Sequence, residues 1–435
     1  MKRIFTLVLL SFCFIHLGFA QNNNVIDPEL YALMNSRSAD KISVNIILKE
    51  DVNASSLNVR KAFHNKDAKR TYMVNELKTQ SEKLQADVLK TLKAVERSSQ
   101  VTNINCHWLT NMINCTATPD AILKIAEHPD VKAVVYNKKE YLLFDEKSEQ
   151  GTPTRAYNGT NVEKINAHKV WDLGYTGEGI IVAVIDTGVN ADHVDLKDHL
   201  WSDSQGRHGK NTLDDNYDIT DRDGHGTHCA GTVCGDGTSG TITGMAPNAK
   251  LMTVKALGDE GEGTVESLIA GVEYAVANGA DVLSMSLGFA NPGSYTNDIM
   301  RPVFENTLTM GIVAAVAAGN DGNRLAEYPK PRNINSPGNC PPPWIHPDQQ
   351  SNVGGKTSVI SVGAVDYSDV ACGFSSEGPV TWQNTTYADY KLGGGYPVKT
   401  LRYDNDAYTG NYGSDVASEF GVMFPSSMLT DFDIL

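Results

Sequence analysis

Apolar and polar positions follow two different rhythms along this chain. Ile42 to Leu48 (Ile-Ser-Val-Asn-Ile-Ile-Leu) reads as a strand. Across residues 71–98, Met73, Leu77, Leu84, Val88 and Leu92 recur at helical spacing among many charges, which predicts an amphipathic helix. Two short strand-like runs follow, at 101–109 and 112–117. Pro119 and Asp120 open a second predicted helix ending near His128-Pro129, and a last strand covers Val131 to Leu143. Strand, helix, strand, strand, helix, strand is the order of a ferredoxin-like α/β sandwich.

Residues 145–157 are polar, contain Gly151 and Pro153, and read as an exposed linker. Beyond them, strand candidates at 179–185, 250–255, 280–285, 312–317 and 358–364 alternate with helix candidates at 226–234, 264–277 and 296–309. The alternation predicts an α/β domain: a parallel sheet with helices on both faces. Active sites of such sheets lie beyond the carboxyl ends of the strands, where Asp186 and Asn320 fall.

The amino terminus changes the picture. Lys2 and Arg3, the apolar stretch Ile4 to Phe14 and the small-residue site Gly18-Phe19-Ala20 read as a secretory signal over residues 1–20. No later stretch is apolar for long enough to span a membrane. The expected product is exported and soluble, with one domain over 21–150 and a second over 151–435. A net charge of −15 argues against nucleic acid and anionic lipid surfaces as partners. Seven cysteines, of which Cys13 lies in the signal, are too few for a disulfide scaffold at this length. If Thr110-Asn111 is a two-residue hairpin turn, Cys106 and Cys115 fall opposite each other at a spacing that suits a disulfide. Two buried thiols are the alternative.

The chemistry concentrates in two segments, Ile181-Val182-Ala183-Val184-Ile185-Asp186-Thr187-Gly188 and Asp223-Gly224-His225-Gly226-Thr227-His228-Cys229-Ala230-Gly231. A histidine has a pKa near the working pH and can take a proton from a nucleophile. A buried carboxylate fixes its tautomer and stabilises the imidazolium. His225, opening a helix between two glycines, suits the first task, and Asp186, ending a buried strand, suits the second. His225 and His228 also admit a metal pair, but no third ligand at helical spacing accompanies them.

Together the two segments resemble the aspartate and histidine motifs of the subtilisin-like serine proteases, in the order Asp before His, about forty residues apart. The resemblance runs from about Tyr157 to Pro379 and includes Ile360 to Val365 and Phe374 to Pro379; residues 337–349 read as an insertion. Residues Asn111 to Pro119, Ile122 to His128 and Asp130 to Val134 resemble the family's inhibitory propeptide domain, which assists folding and is then cut away. The resemblance implies a secreted endopeptidase made as a zymogen and acting on proteins or peptides. It also implies a monomer that requires no cofactor and is held inactive by its own propeptide. Asn320, in Ala317-Ala318-Gly319-Asn320, takes the position of the oxyanion donor. Ser286-Leu287-Gly288 takes that of the substrate-pairing edge and one pocket wall, with Ala317, Ala318 and Gly319 as the opposite wall. Gly261 and Gly263 lie on the second substrate strand. Asp195 matches a position that binds calcium in some members, although Cys234 to Thr243 does not carry the usual partner ligands.

One motif of the family has no counterpart. No Gly-Thr-Ser-Met-Ala-like run carries a nucleophile, and after Trp382 the sequence holds Gly, Tyr, Asp and Asn with little apolar periodicity. Ser427, in Ser426-Ser427-Met428, echoes the motif without its glycine. The favoured expectation is that the motif continues in another frame or downstream. The rival is an inactive peptide-binding protein that keeps the cleft; a metal hydrolase built on His225 and His228 is a third reading.

Overall fold

The computed structural model describes residues 25–36, 40–57, 63, 65–143, 160–290, 294–329, 333–341, 356–366, 368–378, 380–382 and 385–386. The expected signal, the linker, most of the 337–349 insertion and Ser427 lie outside the described residues. The chain divides into two units, Met1–Val52 with Glu76–Lys138, and Asn53–Asn75 with Lys139–Leu435.

In the first unit, α1 (Pro28–Ser36) precedes β1 (Ile42–Leu48), α2 (Lys66–Glu96), β2 (Val101–His107), β3 (Met112–Ala117), α3 (Pro119–Ala126) and β4 (Val131–Tyr136). The strands pair antiparallel in the order β2-β3-β1-β4, the ferredoxin-like order. The core forms where Val44, Ile46 and Leu48 of β1 meet Val88, Leu92 and Val95 of α2 and Ile122 and Ile125 of α3. Helix α2 starts earlier than its apolar rhythm predicts because the Asn65 carboxamide oxygen accepts from Ala68 N at 2.8 Å and caps it. Its first residues, up to Asn75, belong to the second unit.

The hairpin corrects the disulfide expectation. His107 pairs with Met112, so the turn takes the four residues 108–111 and the register moves by two. Cys106 then faces Ile113 and is exposed, while Cys115 is buried, and no disulfide joins them.

In the second unit, β5 (Glu140–Tyr141), α4 (Thr160–Lys164) and α5 (Ala167–Trp171) precede the main α/β array. That array runs β6 (Ile181–Asp186), β7 (Gly209–Asn211), α6 (His225–Cys234), β8 (Lys250–Lys255), β9 (Glu262–Gly263), α7 (Val265–Ala277), β10 (Val282–Met285), α8 (Ser294–Thr309), β11 (Val313–Ala317) and β12 (Val359–Val362). The six-stranded sheet is parallel, in the order β12-β11-β10-β6-β8-β7. Helix α6 packs Ala230 and Cys234 on Val184 and Leu251. At Gly271 of α7 a Cβ would meet Val254 and Ile185. Neighbouring strand residues point to opposite faces, so α6 and α7 cover opposite sides of the sheet. The three-residue β7 escaped the apolar pattern because it reads Gly-Lys-Asn. A Cβ on its Gly209 would come within 1.7 Å of Thr253 O, so only glycine fits beside β8. Among the described residues no helix is long and apolar enough to cross a membrane.

Candidate active site

Parallel strands bring their carboxyl ends to one edge, and the candidate residues gather there. Asp186 is the last residue of β6, Ser286 follows β10, and Ala318 to Asn320 follow β11. Helix α6 begins at His225, after Gly224 at φ 105°, a conformation that favours glycine. Asp186 Oδ1 lies 2.7 Å from His225 Nδ1, and both side chains are buried. This is the arrangement that holds an imidazole with Nε2 turned away from the carboxylate. Burial works against a charge on the ring, the nearby Asp186 carboxylate outweighs it, and the His225 pKa is raised.

Three residues that pattern reading did not single out lock this pair. Thr187 Oγ1 donates to Asp221 Oδ1 at 2.9 Å and accepts from Gly226 N at 2.9 Å. Asp221 also accepts from Gly224 N, Thr227 N and Thr227 Oγ1 at 2.9, 2.8 and 2.6 Å. Buried Lys255, the register partner of Asp186, donates to Thr187 O at 2.5 Å and to Asp259 at 2.9 Å. The loop after the carboxylate is therefore laced to the helix that carries the base. Burial pushes the Asp221 pKa up, but hydrogen bonds from Thr227, Gly224 and Thr187 prevail and hold it below the usual carboxylate value.

Cys229 is a further residue without a role in the sequence pattern, although its i+4 spacing from His225 was visible. Its Sγ lies 3.8 Å from His225 Nδ1. Burial and then the Asp186 charge raise its pKa. Asp186, His225 and Cys229 offer donor atoms within 4.8 Å of one another, a group that could hold a metal ion. His228 is exposed and takes no part in it.

The predicted substrate edges meet an occupant. Residues of β5 pair antiparallel with β9, Glu140 with Gly263 and Tyr141 with Glu262. Leu142 N donates to Gly261 O at 2.9 Å, and Gly288 N donates to Leu142 O at 3.1 Å. Gly261 and Gly263 admit this strand because a Cβ there would run into Leu143 and, at Gly263, into Leu257 and Leu142. Leu287 is buried. Both oxygens of Asp195 accept from Ser239, at 2.5 Å from its N and 2.6 Å from its Oγ. Calcium takes six to eight oxygens, and this donor set does not build such a cage.

The parallel sheet, its helices and the Asp–His pair at its carboxyl edge define an α/β domain with a buried acid–base pair. The sequence pattern of the subtilase family matches residues 177–417, and the chain belongs to that family. It is 36% identical over 215 residues to subtilisin DY of Bacillus licheniformis, covering 49% of this chain and 66% of that protein. It is 39% identical over 167 residues to the major intracellular serine protease of Bacillus subtilis, covering 37% and 49%. It is 42% identical over 172 residues to the minor extracellular protease Vpr of the same organism, covering 36% and 20%. The chain thus spans less than two thirds of the length of these relatives.

Proposed function

We propose that this protein is a serine-type endopeptidase, exported and made as a zymogen. The observation that carries the reading is the buried contact of 2.7 Å between Asp186 and His225. A serine hydroxyl needs a base at neutral pH; His225 takes its proton and later returns it to the leaving amine, with Asp186 steadying the imidazolium. Asn320, at the end of the β11 edge, donates its side-chain amide to the developing oxyanion. The segment after Lys139 pairs with β9 and bonds to Gly288 along the groove a substrate strand would use, which supports self-inhibition by the chain's own polypeptide. Export rests on the amino-terminal pattern; the relatives include proteins named as extracellular and one named as intracellular. No cofactor enters this chemistry, and the working unit is a monomer acting on peptide or protein substrates.

The test is labelling of the full chain with a fluorophosphonate probe, followed by peptide mapping, beside a His225→Ala variant. One serine labelled in the parent and not in the variant supports the reading and identifies the nucleophile. No labelled serine, with a fluorescent peptide still bound, replaces it by the binding-protein reading. Peptide hydrolysis abolished by a chelator and untouched by the probe replaces it by the metal-hydrolase reading.

A further inference from the structure

The strands β10 and β11 are neighbours in register, Met285 beside Val316. Beyond their carboxyl ends a single segment bridges their extensions. Asn335 N donates to Ala318 O at 2.9 Å, on the β11 side. Ser336 exchanges two backbone bonds with Phe289, at 3.1 and 2.8 Å, on the β10 side. Residues 335–336 therefore close the far end of the gap between the 286–288 and 317–319 edges. A crevice between strand extensions at the carboxyl edge is where ligands of such sheets are read.

The side chain at that closed end is a carboxamide with no partner. Asn335 is 1% exposed, and neither its Nδ2 nor its Oδ1 has a hydrogen-bond partner. It lies against Gly319, where a Cβ would sit 2.5 Å from Asn335 Nδ2, so the glycine at φ 110° makes room for the amide. Gly319 directly precedes Asn320, the oxyanion donor of the proposed reaction. Buried amides are nearly always satisfied; here a donor and an acceptor stand together at the end of the gap, one residue from the chemistry.

We infer that Asn335 selects the substrate side chain preceding the scissile bond, favouring a neutral polar end, glutamine or asparagine, over a large apolar one. The inference rests on the peptidase reading above. A carboxamide meets the Asn335 amide with one bond in each direction, whereas leucine or phenylalanine would bury both amide atoms unpaired. A site built to hydrogen-bond its substrate rejects analogues lacking the group far more strongly than an apolar pocket rejects a size change.

The test digests an unfolded protein of mixed composition with the full-length protein and maps the cuts by mass spectrometry, counting only cuts absent with His225→Ala. The parent is expected to cut after Gln and Asn at least about tenfold more often, relative to their abundance, than after Leu and Phe. Asn335→Leu is expected to reverse the order. Asn335→Gly, which removes the amide without adding bulk, is expected to abolish the polar preference. Cuts favouring Leu and Phe in the parent, or a cut pattern unmoved in both variants, overturn the role of Asn335 and leave the peptidase reading standing. The absence of any His225-dependent cut overturns the peptidase reading itself, and this inference with it.

Discussion

Asp186 Oδ1 and His225 Nδ1 stand 2.7 Å apart with both side chains buried. This contact sets the protonation of the base. The His225 pKa is raised above its ordinary value of about 6.5, burial opposing and the Asp186 charge prevailing. A raised folded-state pKa gives stability that is fully present below the unfolded value and is lost as pH rises through the folded value. The neutral ring needed for catalysis is then the high-pH form, so hydrolysis is expected to keep rising above pH 7. Asp186→Asn removes the charge and leaves burial alone, which lowers the pKa. The His225 ring resonance in NMR should then titrate below about 6.5, and turnover should fall by about 10⁴-fold. An unchanged titration in Asp186→Asn would show that the carboxylate does not govern the ring.

Much of this was legible in the sequence. The strand over Ile181 to Asp186 announced itself by an unbroken apolar run, and His225 by its flanking glycines. The five long parallel strands emerged within a few residues of their apolar runs. What stayed hidden depends on tertiary proximity. Asp221 bonds locally to Gly224 and Thr227, but its link to the carboxylate loop runs through Thr187, 34 residues away, and carries no local signal. Lys255, at the end of the 250–255 strand, carries no local signal that its ammonium is buried against Thr187 O. The Cys106–Cys115 register failed because turn length, a matter of two residues, decides every cross-strand partner in a hairpin.

Gly226 is where the helix of the base touches the loop of the carboxylate. A Cβ there would lie 2.1 Å from Gly188 O and 3.1 Å from Thr187 Oγ1, and backbone oxygen cannot rotate away. Gly226→Ala is expected to force α6 off the loop, destabilising the fold by about 3 kcal/mol or more, at the upper end of single-substitution effects. It should also abolish activity. Gly231, on the same helix, has only Thr243 Oγ1 at 3.9 Å from such a Cβ. Gly231→Ala should therefore leave stability unchanged or raise it by up to about 1 kcal/mol. Urea unfolding of the two variants, side by side, measures both; equal effects would show that the close contact is not what matters.

The cysteines sort by environment. Burial pushes the thiols of Cys115, Cys234 and Cys340 up to about 12, whereas Cys106 is exposed on β2. The thiolate is the reactive form, so the buried three should resist iodoacetamide at pH 8 in the native protein. Cys106 should be modified quickly. Mass mapping before and after unfolding checks this. Rapid native modification of Cys115 would mean that the β2–β3 hairpin opens readily, contrary to its place in the core.

Another charge cluster, around Asp281, lies at the amino end of β10. Asp281 Oδ1 accepts from Arg70 Nη2 at 3.2 Å and Lys66 Nζ at 2.9 Å, and its Oδ2 from Ile181 N at 3.1 Å. The Arg70 side chain is 6% exposed and that of Lys66 51%. Asp281→Ala would leave the guanidinium buried without its counter-charge, a loss expected at about 3–5 kcal/mol. Lys66→Ala, breaking the exposed half of the same cluster, should cost no more than about 1 kcal/mol. Replacing both Arg70 and Asp281 by apolar residues should cost less than Asp281→Ala alone, because the uncompensated charge is gone. Chemical denaturation of the four proteins decides the matter. If Asp281→Ala and Lys66→Ala cost the same, the Arg70 contact contributes nothing beyond an ordinary surface pair.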